Sequence, residues 1–302
     1  MRTNKQTYIS VAIPAYKTTF LKEAIDSVLA QTYSNFELII VNDKSPEDID
    51  GIISSYNDQR IRYYKNDYNL GKKSIVHNWN KCLSYAQGEF FTLLCDDDLM
   101  ESTFLEKMLQ LTLKYPQHNV FKSRTKIINS INKTIIGESI PWPEYESFKD
   151  LLDNMILGNR KHTISEFIYR TNHIKKLNGY IVYPVGYYAD GASLLIFCNG
   201  EGIISSSECL ITFRKSEENI STNSKYNIEK AKAALIYFKW IKKQFTLNKR
   251  QIKILDGQQD FDLYNFYIHS SNIIDAIKIL HLIPYNIWNY KKKIIFLLKK
   301  LF

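Results

Sequence analysis

The chain is predicted to be an α/β protein built on a mostly parallel sheet with flanking helices, and two observations predict it. Short β-rich runs alternate with stretches of helical period, and each run ends in polar residues suited to binding. Residues 8–14 alternate as a strand does, and Leu21, Ala24, Ile25, Val28 and Leu29 then fall at i, i+3, i+4, i+7 and i+8, one stripe of a helix. FELIIV at 36–41 is a second strand, followed by a helix marked by Ile49, Ile52, Ile53 and Tyr56. IRYYK at 61–65 is the third strand. A helix with Ile75, Trp79, Cys82, Leu83 and Ala86 on one side leads to FFTLL at 90–94, which reads as a buried strand. Such alternation makes βαβ units.

In an open α/β sheet the ligand crevice lies beyond the carboxyl ends of the strands. The residues expected there are Ala15 and Tyr16 after the first strand, Asn42 and Asp43 after the second, Asn66 to Gly71 after the third, and Asp96, Asp97 and Asp98 after the fourth. Three strand ends therefore bring carboxylates or amides to one edge.

Composition bounds the rest. With 302 residues, 45% hydrophobic and 24% charged, the chain has enough apolar residues for one large or two modest cores, which excludes a disordered protein. A formal charge of +9 invites a polyanionic partner: nucleic acid, an anionic membrane surface, or a phosphate-bearing substrate. Cys82, Cys95, Cys198 and Cys209 form no CxxC pair, so neither a zinc site nor a disulfide framework is signalled, and a reducing compartment is expected. The polar start MRTNKQT and the short, proline-broken run behind it do not read as a signal or a span, so a cytoplasmic protein is expected.

Adjacent carboxylates repel unless a cation or hydrogen-bond donors sit among them, so Asp96, Asp97 and Asp98 need a reason. One is a hard divalent cation, Mg²⁺ or Mn²⁺, shared with the oxygens of a diphosphate. The other is that they cap the next helix. The spacing of an EF-hand is absent, as are a P-loop and a GxGxxG after the first strand.

The first 220 residues or so resemble the family-2 glycosyltransferases of GT-A fold. ISVAIPAYK, the helix ending LAQTY, and FELIIVNDKSPED are similar to that family's first strand, helix and second strand. NLGKKSIVHNWNKCLSYAQGEFFTLLCDDDL resembles its glycine turn, helix and D-x-D strand end. The resemblance implies that Pro14, Ala15 and Tyr16 line the nucleotide pocket and that Asp43 accepts a hydrogen bond from the base, usually uracil, although an Asp in NDKSP also suits an Asx-turn. It implies that Asp97 faces the ribose or diphosphate. Asp98 would be the main metal ligand, with Asp96 as the alternative ligand and a further donor contact. Near the Gly71 turn, a phosphate contact is expected from Lys72, Lys73 or His77, because Trp79-Asn80 stands where many relatives carry Arg-Asn.

Further on, KKLNGYIVYPVGYYADGASLL resembles the family's segment ending in a Glu-Asp pair before a helix; Ala189 replaces the Glu, leaving Asp190 as the match to the catalytic base. An Asp in that position is otherwise a helix cap. Arg214, Lys215 and Ser216 match a region that closes over the diphosphate in relatives. Trp142, Tyr145, His162 and Thr163 fall where relatives bind acceptors, with core packing as the alternative for the aromatics.

The implied organisation is a catalytic domain over residues 1–224, divided into a nucleotide-binding half (1–115) and an acceptor-binding half (116–224), the irregular Pro141, Trp142 and Pro143 marking a break inside it. Residues 225–302 form a basic, helical C-terminal region. The implied activity is an inverting transfer from a nucleotide-diphosphate sugar, UDP by resemblance, to the hydroxyl of a saccharide or lipid-linked saccharide in bacterial polysaccharide assembly.

The closing residues combine Trp288, Ile294, Ile295, Phe296, Leu297, Leu298, Leu301 and Phe302 with Lys291, Lys292, Lys293, Lys299 and Lys300. Two readings stand for them: a helix in the interface of an anionic inner membrane surface, or a helix packed on the domain. Two rival functions fit the sequence less well. A basic nucleic-acid-binding module does not explain strand-end carboxylates that would repel phosphates, so no nucleic-acid partner is expected. A nucleotidyltransferase would want a basic loop after the first strand, where PAYKTTF offers only Lys17.

Overall fold

The computed structural model describes residues 7–270 and 272–282. The chain divides into two compact units, one running to Ile181 and resuming over Ser193–Ser216, the other comprising Val182–Ala192 and the described residues from Glu217 onward.

The first unit opens with β1 (Ile9–Ala15), α1 (Leu21–Leu29), β2 (Phe36–Asn42), α2 (Ile49–Ser54), β3 (Ile61–Lys65), α3 (Val76–Tyr85) and β4 (Phe90–Leu93). It continues through β5 (Leu99–Met100), α4 (Phe104–Lys114), β6 (Val120–Asn129), β7 (Ile135–Glu138), β8 (Tyr145–Glu146), α5 (Phe148–Ile156), β9 (Phe167–Arg170), α6 (Thr171–Lys176) and, after α7 (Ala189–Phe197), β10 (Ile203–Lys215). One sheet runs in the order β3, β2, β1, β4, β9, β6, β10, β5, with β7 on β6 and β8 on β10.

The parallel pairing expected of the alternation joins β1, β2, β3 and β4 and returns between β6 and β10. Between those stretches β9 runs antiparallel to β4 and β6. Its residues are only four and follow an irregular stretch, so no hydrophobic period announces them in the sequence. The strand order also fixes where a ligand can enter. From β1 the chain steps to β2 and β3 on one side, then returns to place β4 on the other, so the β1/β4 boundary is the topological switch point.

Central parallel strands are covered on both faces, and β2 is buried along its whole length. Ile9, Val11, Ile13, Leu38 and Ile40 share one cluster with Leu21, Ala24, Ile25 and Val28 of α1 and Phe104, Leu105 and Met108 of α4. Full burial of each valine, leucine, isoleucine, phenylalanine or methionine among them contributes about 1.5–3 kcal/mol. α3 covers the opposite face of β1 and β2. Polar anchors set the helix starts: Asp48 accepts from the Gly51 amide before α2, and Ser147 accepts from the Asp150 amide before α5.

The second unit holds α8 (Asn227–Gln244), α9 (Lys249–Ile268) and α10 (Ile273–Leu282), which pack on one another. The lysine-rich closing segment from residue 283, including Trp288 and Phe302, lies outside the described residues.

Candidate active site

The site grows from the carboxyl ends of β1, β2 and β4. Pro14 and Ala15 end β1, and the half-exposed Tyr16 follows them. The amides of Tyr16 and Lys17 both donate to Asp96 Oδ2 at 2.8 Å, tying the loop after β1 to the strand end across the switch point. Burial first, then the charge of Asp97, pushes the Asp96 carboxyl up to about 6, against the pull of those two amides.

No helix begins at the carboxylate run. Asp98 is followed directly by β5, and the next helix, α4, starts only after Thr103, so Asp96, Asp97 and Asp98 are not its cap. Asp98 is 1% exposed. Its Oδ2 accepts from the Ser165 hydroxyl at 2.7 Å and its Oδ1 from the Arg214 amide at 3.1 Å. Burial and the neighbouring Asp97 hold its carboxyl well above the usual range. Ligand atoms of Cys95, Asp97 and Asp98 lie within 4.8 Å of one another. Asp96 is outside that group and serves the β1 loop instead.

These residues suit a hard divalent cation. Burial and the neighbouring Asp97 both disfavour charge on Asp98, and a cation would offset both. The Cys95 thiol is a softer donor, and burial with Asp98 beside it drives its pKa far up, so it stays neutral.

Asp43 is 4% exposed and holds the loop after β3. Its Oδ1 accepts from Asn66 Nδ2 and the Leu70 amide, both at 2.8 Å, and its Oδ2 from the Gly71 amide at 2.7 Å. Gly71 is required by this approach, since a Cβ there would stand 2.7 Å from Asp43 Oδ2. The side-chain bond that closes this corner comes from the neighbouring residue: Asn42 Oδ1 accepts from the Ser45 amide. Lys72, Lys73 and His77 are exposed beyond the loop.

Arg214, the penultimate residue of β10, is buried in the first unit. Its Nε donates to the Asp97 carbonyl at 2.9 Å, its Nη2 pairs with Glu23 at 2.9 Å, and its guanidinium lies 4.1 Å from the Phe20 ring centroid. It braces the carboxylate loop from behind. Trp142 is 5% exposed and lies between two cations, Lys122 Nζ at 4.5 Å and the Arg160 guanidinium at 5.2 Å, while Tyr145 is half exposed. Asp190 is in the second unit, in the first turn of α7, where its Oδ1 accepts from the Gly191 amide. Sequence reasoning missed Ser165. A serine in ISEF carries no local signal, because its link to Asp98 spans 67 positions.

The family model of glycosyl transferase family 2 matches residues 10–176, more than half of the chain. The chain belongs to glycosyl transferase family 2. This transferase is 30% identical over 151 residues to an Escherichia coli protein named UDP-Glc:alpha-D-GlcNAc-diphosphoundecaprenol beta-1,3-glucosyltransferase WfgD, covering 50% of this chain and 57% of that one. The transferase spans between about a third and six-tenths of the length of the first curated relatives it matches.

Among solved structures, S. aureus TarS 1–349 in complex with UDP-GlcNAc matches with a TM-score of 0.67 at 16% identity, over 93% of this chain and 82% of that one. The Pyrobaculum calidifontis mannosyltransferase PcManGT, in complex with GDP-Man and Mn²⁺, matches with a TM-score of 0.59 at 12% identity, over 99% and 80%. The transferase thus has the GT-A-type fold, an α/β sheet with flanking helices followed by C-terminal helices.

Proposed function

We propose that this family-2 enzyme transfers a sugar from a UDP-sugar to a hydroxyl of a saccharide or lipid-linked saccharide, with inversion, in bacterial cell-surface polysaccharide assembly. The observation that carries the reading is the convergence of Cys95, Asp97 and Asp98 at the switch point, beside a β1 loop held by Asp96. The names of WfgD and of the TarS complex support a UDP-linked donor, and that of WfgD a diphosphoundecaprenol-linked acceptor.

In this reading Pro14, Ala15 and Tyr16 line the nucleotide pocket. Asp43 Oδ2, with one described donor on it, keeps a lone pair for a base N–H. Asp97 and Asp98 hold Mn²⁺ or Mg²⁺, with Asp96 supporting the loop beside the donor. The bound ion supplies Lewis-acid stabilisation of charge on the diphosphate. Ser165 and the Arg214 amide keep Asp98 in one orientation. Gly71 shapes the loop that carries Lys72 toward the phosphates. Asp190 takes the acceptor proton onto its carboxylate as attack begins.

We further read the enzyme as peripheral on the inner face of the cell membrane. Among the described residues no helix is long and apolar enough to cross a membrane. Ile273, Ile274 and Ile277 of α10 are 41%, 62% and 40% exposed, and the basic tail follows that helix.

The test is thermal stability against nucleotides and nucleotide sugars with and without Mn²⁺. A rise with UDP or a UDP-sugar that needs Mn²⁺, absent in Asp98→Ala, is expected, because a ligand that binds only the native state raises its stability. Stabilisation by DNA or RNA alone would overturn the reading.

A further inference from the structure

Within the second unit, three of the four residues before Ala189 have left-handed backbone: Val185 at φ +49°, Gly186 at +76° and Tyr188 at +67°. Two of these carry a Cβ, and one is β-branched, so the turn is costly and persists only where its surroundings hold it. The turn matters because of what it opens. The Tyr188 carbonyl accepts from the Ala192 amide at 3.0 Å, making Tyr188 the residue that starts α7, two positions before Asp190.

The surroundings are mostly aromatic. The Tyr188 ring is stacked on Tyr237 of α8, with centroids 4.7 Å apart and planes 8° from parallel. Phe238 meets the same ring edge-on, and Tyr187 packs edge-on against Phe266 of α9. These ring contacts pack against the half-buried turn without by themselves fixing its register. A directional contact does that. The Tyr188 hydroxyl donates to Asp262 Oδ2 on α9, a charge-assisted, half-buried bond. Burial raises both partners, the phenol and the carboxyl, above their ordinary values.

We propose that Asp262 is a positioning residue for the catalytic turn: by holding the Tyr188 hydroxyl it fixes the left-handed segment from which Asp190 is presented. The proposal rests on the reading of Asp190 as the base. It gives the C-terminal helices a part in the chemistry, supplied by α9 through one hydrogen bond.

Hydrogen exchange on the full chain tests it at the amides of Gly186, Tyr187 and Ala192, which bond to the carbonyls of Tyr183, Pro184 and Tyr188. Asp262→Ala and Tyr188→Phe are each expected to speed exchange there about tenfold, with no further rise in the double variant, since both remove one bond. Asp262→Asn keeps an acceptor oxygen and is expected to exchange at the wild-type rate. Wild-type exchange in Asp262→Ala, or additive effects in the double variant, overturns the proposal. If Asp262→Ala does not fold, Tyr188→Phe carries the same comparison.

Release of UDP from UDP-glucose or UDP-N-acetylglucosamine with Mn²⁺ separates this from the reading beneath it. Asp262→Ala is expected to lower kcat about tenfold at unchanged donor KM, and Asp190→Asn to abolish turnover. An Asp190→Asn enzyme as active as wild type would sink the base assignment, whereas an unaltered kcat in Asp262→Ala with Asp190→Asn inactive would sink the positioning role alone.

Discussion

Three neighbouring aspartates do three different jobs because their surroundings differ. Asp96 receives two backbone amides, Asp98 a hydroxyl and an amide, and Asp97 lends its carbonyl to Arg214. The sequence announced the cluster and its strand-end position, but not this division, since each partner comes from at least 67 residues away. Asp96 titrates at about 6 in the folded chain against 3.8 ordinarily, so between those values the unfolded chain has lost a proton that the folded chain keeps. Stability from this group is full below about pH 4 and is lost as pH rises through about 6. Without added divalent ion, Asp96→Asn is therefore expected to gain stability relative to wild type as pH rises from 4 to 6, in urea titrations run across that range. A difference that stays flat with pH would show that Asp96 is not held near 6.

Elements with a clean hydrophobic period were legible, and those without one were not. β1 to β4 and the helices between them fall within a few residues of the reading, because central strands and one-sided helices must be apolar at fixed spacing. β9 and the two-residue β5 and β8 escaped it, since such short strands are set by their partners rather than by any period of their own. The join between α3 and β4 shows how tightly the legible part is fitted. Gly88 donates to Ser10 Oγ at 2.8 Å, and a Cβ at that position would stand 2.5 Å from the Ser10 nitrogen and 2.7 Å from the Ile9 carbonyl carbon. Both neighbours are backbone of a central strand and cannot swing aside. Gly88→Ala is expected to lower the unfolding free energy by about 1–3 kcal/mol in chemical denaturation, the range for forced overpacking.

At the scale of the whole molecule, the charge of +9 and the exposed isoleucines of α10 bear on where the enzyme works. Lysines attract an anionic surface within a Debye length, and apolar side chains hold it at close range. Sedimentation with vesicles containing phosphatidylglycerol is expected at low salt, to weaken as salt rises, and to be lost on deleting residues 283–302. The shift in Tm with UDP and Mn²⁺ should survive that deletion. Binding to neutral vesicles as strong as to anionic ones would count against the electrostatic half of the reading.

The bond from the Arg214 amide to Asp98 closes a loop of 116 residues. A chain made from its amino end can pair β1 with β2, β2 with β3 and β1 with β4 as each emerges, because those partners are near in sequence. Asp96 can then already be held by the Tyr16 and Lys17 amides, but Asp98 waits for Ser165 and, last, for the Arg214 amide, which arrives only when β10 has been synthesised and placed beside β6. An emerging chain therefore carries its acidic cluster without the Arg214 brace while 116 further residues are made.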